Sequence, residues 1–187
     1  MRKSLRVAVL CLLSVAGVYG QSNNPHNDKG VRNAEGIIRV KADYDRGIVK
    51  EFNQQTIDKY APLFVLKTTP TTDMVATILR ETARRDLDGS LARSNFSQVS
   101  KDVLRAASTG TPNYEALVDR MVRSSVAADE KEEILIYLST GYNLQRRGFD
   151  DHMLIGGIGG IAGGLICGPP CAGVGFIVGF ITSWATK

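Results

Sequence analysis

From Met153 to Trp184 the chain runs for 32 residues without a charged side chain, and ten of its nineteen glycines fall inside that run. A segment this apolar cannot lie open to water along its length, so protein or lipid has to cover it. Gly156, Gly160, Gly164 and Gly168 recur every four residues, which on a helix places them in one smooth stripe. Gly159 with Gly163, and Gly175 with Gly179, repeat the G-x-x-x-G spacing. Such stripes let helix backbones approach closely and drive association, including self-association, in lipid. Ile158, Ile161, Leu165, Phe176 and Phe180 supply apolar bulk on the other faces, and Trp184 and Lys187 suit a membrane interface.

Cys167-Gly168-Pro169-Pro170-Cys171 divides the run, because two adjacent prolines interrupt a helix. The arms, 153–168 and 171–184, would measure about 24 and 21 Å at ~1.5 Å per residue. Each falls short of a ~30 Å hydrocarbon core. A helical hairpin, a re-entrant insertion and one bent span all satisfy these lengths. About twelve Leu, Ile, Val and Phe residues favour insertion by roughly 5 kcal/mol, which glycine and proline partly offset. The expectation is a membrane-active segment that inserts marginally.

At the other end, residues 1–20 read as an export signal. Arg2, Lys3 and Arg6 form a basic start, Val7 to Val18 is apolar, and Val18 and Gly20 fit the −3 and −1 positions of a cleavage site before Gln21. Without those three bases the formal charge falls from +4 to +1, which gives no reason to expect a nucleic-acid partner. Cys11 leaves with the signal, so Cys167 and Cys171 remain as an even pair. In an exported protein that pair favours a disulfide.

Residues 21–32 are polar and read as a flexible leader. Residues 33–148 carry helical periodicity and predict a small all-α domain. Ile37, Val40, Tyr44, Ile48 and Phe52 line one face, followed by Ile57, Tyr60, Ala61 and Phe64, with a kink at Pro62. Thr68 to Thr72 offers a cap for a helix through Met74, Val75, Ile78 and Leu79 that ends near Gly89. Phe96, Val99, Val103 and Ala107 form the next face, stopped at Gly110. Thr111-Pro112 reads as a restart. Asp129 with Glu132 reads as a capping box before Ile134, Leu135, Leu138 and Tyr142. Arg146, Arg147 and Gly148 suit the end of that helix. Arg146-Arg147 also suggests processing, which would release the 40 residues from Gly148 to Lys187.

Catalytic signatures are absent: no G-x-S-x-G, no phosphate-cradling loop with lysine and no H-E-x-x-H. The expectation is a non-enzyme with no cofactor and no metal. Asp150-Asp151-His152 is a poor metal site because adjacent residues rarely converge on one centre.

The order of signal, helical region and apolar segment with a short cysteine loop resembles that of sporulation-delaying-protein-type bacteriocin precursors. Tyr44-Asp45-Arg46-Gly47-Ile48-Val49 is similar to a Tyr-x-Arg-Gly-aliphatic stretch early in that family. The cysteine loop here is shorter, contains Pro-Pro and sits mid-segment, and no polar extension follows the apolar run. The resemblance implies a secreted toxin that permeabilises membranes, with a dedicated immunity protein as partner.

Residues 149–187 are therefore expected to act in or on a lipid bilayer, as the toxin segment of a secreted antimicrobial precursor. The alternative is a helical binding or structural domain that this segment anchors to a membrane. A third reading makes the segment the core, or an oligomer interface, of a soluble secreted helical binder.

Overall fold

The computed structural model describes residues 23–51, 53–109, 112–149 and 153–185, with side chains as far as Ser183. The export signal with its cleavage site at Gly20, Asp150 to His152, Lys187 and the Trp184 side chain lie outside the described residues. Every regular element described is helical. In chain order these are α1 (Asn27–Asp45), α2 (Gln54–Tyr60), a 3-10 turn (Ala61–Leu63), α3 (Thr72–Arg84), α4 (Leu87–Arg93) and α5 (Gln98–Ser108). Then follow α6 (Tyr114–Arg123), α7 (Ala128–Gln145), α8 (Met153–Cys167) and α9 (Pro169–Ala185).

Five short helices start on side-chain caps, which satisfy backbone N–H groups left without helical partners. Asn53 accepts from the Thr56 N–H (3.0 Å), Thr71 from Met74 (3.3 Å) and Asp86 from Gly89 (2.8 Å). Ser97 accepts from Ser100 (3.3 Å) and Asn113 from Ala116 (3.1 Å). Pro62 sits in the 3-10 turn. Four local expectations are corrected. The helix expected to end near Gly89 stops at Arg84, because Arg85 turns left-handed (φ 51°) and Asp86 caps a new helix. The restart falls to Asn113, past Pro112, while Phe52, Gly110 and Thr111 lie outside the described residues. Asp129 and Glu132 do not form a capping box; Ala127 holds the N-cap position without a side-chain bond, and both acids pair with lysines instead.

The fourth correction concerns the leader, whose helix begins at Asn27. Asn24 donates to the Leu135 carbonyl (2.9 Å), and the Ser139 hydroxyl donates to Asn27 Oδ1 (2.8 Å). Asn27 meets Ser139 while Glu35 meets Arg147, so α1 and α7 run in the same direction. Gly30 permits this approach, since a Cβ there would lie 2.8 Å from the Thr140 backbone nitrogen. Such contacts between distant segments leave no trace in local periodicity.

The apolar run folds as a helical hairpin, α8 and α9, and lies at the centre of the molecule. Helices α3, α4 and α5 pack on α8, while α1, α3 and α7 pack on α9. Ile158, Ile161 and Phe180 are fully buried and share one core with Ile37, Val103, Leu104, Ile134 and Tyr137. Residues 33–148 and 149–187 therefore share a hydrophobic core.

A chain from 21 to 148 lacks Ile158, Ile161, Phe176 and Phe180. At about 2–5 kcal/mol for each large core side chain, the four together remove about 8–20 kcal/mol, as much as a typical stability of about 5–15 kcal/mol. This fragment is expected to show no cooperative urea transition by circular dichroism. A sigmoidal transition at the full-length midpoint would show that the hairpin is dispensable to the core.

Candidate functional site

Two glycine faces of α8 are both met by α9. Gly159 and Gly163 lie against Gly175, Gly179 and Cys171, backbone to backbone. A Cβ on Gly159 would stand 2.9 Å from the Gly179 Cα and overlap the Gly175 carbonyl oxygen. Gly156 and Gly160, on the four-residue stripe, receive the rings of Phe180 and Phe176. Gly164 faces the Phe96 ring, and Gly168 forms the turn at φ 81°. The chain's own rings thus occupy this stripe, and self-association through it requires those rings to leave. Gly157 packs against Ser108 and Tyr137.

Pro169 and Pro170 occupy the first turn of α9, where a missing N–H costs little. The disulfide Cys167–Cys171 joins the end of α8 to that turn, with Cα atoms 5.6 Å apart. Burial stops at this point. Leu165 and Ile166 are 40% and 39% exposed, Cys167 is exposed, and Gly168 to Pro170 are half-buried. Among the described residues no helix is long and apolar enough to cross a membrane.

The covering surface of α7 is partly polar. Glu130, Glu133, Tyr137 and Gly141 follow at helical spacing and face the hairpin side. Glu130 accepts from the Ser97 N–H and hydroxyl, both at 2.8 Å, beside the α5 cap. The Tyr137 ring stacks on Phe176 (4.4 Å between centroids) and Phe180 (5.8 Å), and its hydroxyl donates to the Met153 carbonyl at 2.9 Å. Complete burial raises the Tyr137 hydroxyl pKa. Glu133 is 3% exposed and stands against Gly173 of α9, with Lys67 Nζ at 3.7 Å. Lys67 also reaches Glu132 (2.7 Å) and Asp129 (3.1 Å), and Lys29 pairs with Glu132.

The two adjacent glutamates diverge. Hydrogen bonds from Lys29 and then Lys67 hold Glu132 down to about 2. Burial pushes Glu133 up to about 7, against the opposing charge of Lys67. Sequence reading missed Glu133. Its signal was the i, i+4 relation to Tyr137, which places both on one face of α7.

Arg146 and Arg147 are exposed between α7 and α8; Arg147 pairs with Glu35 at 3.5 Å, and Arg146 lies over the Tyr142 ring. An apolar cavity of about 50 Å³ lies between α1, α2, α3 and α9, lined in part by Val40, Tyr60, Phe64 and Ile177. It is far below the ~300–1,000 Å³ of organic-ligand pockets. Among the described residues no group of three His, Cys, Asp or Glu side chains is placed to hold a metal. Comparison of the chain with protein families, with curated proteins and with solved structures finds no match.

Gly175→Ala forces a methyl group onto the Gly159 carbonyl. Even after helix propensity returns about 1 kcal/mol, a net loss of about 2 kcal/mol is expected from urea unfolding. Unchanged stability would show that the helices separate freely.

The pH dependence of Glu133 has a definite sign. The folded state retains its proton between 4.5 and about 7, where an unfolded chain releases it. Stability therefore falls as pH rises through that window, by about 3 kcal/mol at 1.36 kcal/mol per pKa unit. Glu133→Gln removes this dependence. The variant should exceed the native chain in stability at pH 8 and match it at pH 4.5, by urea midpoints at both. Parallel curves would refute the assignment.

Proposed function

We propose that this chain is an exported membrane-active protein, an antimicrobial or toxin precursor, that carries its bilayer-seeking hairpin wrapped in its own amphipathic helices. The carrying observation is the hairpin itself. Its helices meet backbone to backbone through paired G-x-x-x-G glycines, so they remain complementary to each other without the other helices. An ordinary core gains little from ten residues without side chains, each of which costs backbone entropy to order. A hairpin that has to remain closed in lipid gains close packing from the same residues.

The surrounding layer is consistent with release. When the hairpin leaves, Glu130 and Glu133 of α7 return to water, and Glu133 ionises without penalty above its ordinary range. A dedicated immunity protein belongs to this reading. The exposed Arg146-Arg147 pair offers one route to release, by cleavage before α8.

A second reading keeps the hairpin in place and makes the molecule a helical binding domain. The full burial of Ile158, Ile161 and Phe180 favours it. A permanent membrane anchor would instead require the hairpin to lie outside the bundle.

A covalent lock separates these readings. A Cβ at Gly157 would lie 3.8 Å from that of Ser108, a spacing that suits a disulfide. The chain from 21 to 187 is expected to release dye from phosphatidylcholine vesicles at micromolar concentration. Its Ser108→Cys/Gly157→Cys form, oxidised, should not. Silence of the native chain, or equal leakage from the locked one, would falsify the release model.

A further inference from the structure

With the hairpin sheathed, the exposed side chains among its described residues are those at the turn, Leu165 to Cys167. We propose that the tip from Leu165 to Pro170 is a lipid-docking element, which seats the closed protein on a bilayer before any helix moves. This rests on the reading of the hairpin as bilayer-seeking, and adds which surface makes first contact.

Three observations carry the inference. Leu165 and Ile166 are 40% and 39% exposed at adjacent positions, and Cys167 beside them is exposed too. The tip is continuous with 32 charge-free residues, so no charged side chain on the hairpin opposes entry among headgroups. Finally, the Cys167–Cys171 bond closes the turn, and Gly168 and two prolines fix its path. A preformed tip spends little entropy on docking.

Size and charge favour lipid over a protein partner. Stable protein interfaces draw about 20–30 residues from each side, and this tip offers six. It carries no charge to steer a second copy into register. A small apolar tip does suit partial burial at an interface, where the gain scales with apolar area and not with matching shape. Docking should therefore need no anionic lipid and resist salt.

The test uses the chain from 21 to 187 carrying the oxidised Ser108→Cys/Gly157→Cys lock, with phosphatidylcholine vesicles and flotation. The locked protein should bind without leakage. Adding Leu165→Asp/Ile166→Asp should weaken binding at least about tenfold, at an unchanged melting temperature because both positions are partly solvated. If those substitutions disturb folding, Ile166→Trp in a Trp184→Phe background gives a second readout, a blue shift of emission on vesicles. Equal binding by the aspartate variant, no shift, or a tip-dependent dimer without vesicle binding would each overturn the proposal. Leakage of the unlocked chain is scored separately. Leakage that ignores the tip defeats the docking element alone, whereas tip-dependent binding without leakage defeats only the toxin reading.

Discussion

Two helix backbones in direct contact set the terms for the rest of this molecule. Gly159 and Gly163 on α8 meet Gly175 and Gly179 on α9 with no side chain between them. Contact at that distance maximises dispersion between main chains and allows weak Cα–H hydrogen bonds. It also leaves the pair thin and apolar on its outward faces, with Ile158, Ile161, Val174 and Ile177 to be covered. Helices α1, α3, α4, α5 and α7 then arrange themselves around it as amphipathic staves. Of these, α3, α4 and α5 are short and start on side-chain caps, whereas α1 and α7 run 19 and 18 residues.

The contact surface of α7 shows how unlike the two partners are. Toward α1 it offers Ser139 and Thr140, each hydrogen-bonded. Toward the hairpin it offers Tyr137, stacked on two phenylalanines, and two carboxylates, Glu130 and Glu133. Glu130 is satisfied by the start of α5, whereas Glu133 has a single cation at the margin of contact and is pushed up to about 7. Burying that carboxyl is a cost to the closed state, and the proposed opening would relieve it.

The all-helical class, the break at Cys167 to Cys171, a cap within Thr68 to Thr72 and a helix stop near Gly148 were legible in the sequence. Each depends on residues within a few positions: period 3.6, a hydroxyl before a helix, glycine after one, and two prolines that cannot continue. The pairing of Asn24 with Leu135, of Gly30 with Ser139 and of Glu132 with Lys29 was not legible. These contacts join segments about a hundred residues apart, and they turned an apparent leader into the first turns of α1 and an apparent capping box into an ion-pair cluster.

The sequence alone determined that residues 153–184 must be hidden and that a helix through them breaks at Cys167 to Cys171, because uncharged side chains demand cover and paired prolines cannot continue a helix; hairpin, re-entrant insertion and bent span stayed open. It left open what hides them, since acyl chains and apolar helix faces offer the same low polarity. Tertiary structure decided that in favour of the protein's own helices, and in doing so separated roles that the spacing could not. One glycine face joins two backbones, the adjacent face seats Phe176 and Phe180, and among the described residues of the hairpin the exposed ones are Leu165 to Cys167. The physical reason is that a stripe of glycines specifies how near a neighbour can come, whereas the identity of that neighbour follows from the rest of the chain.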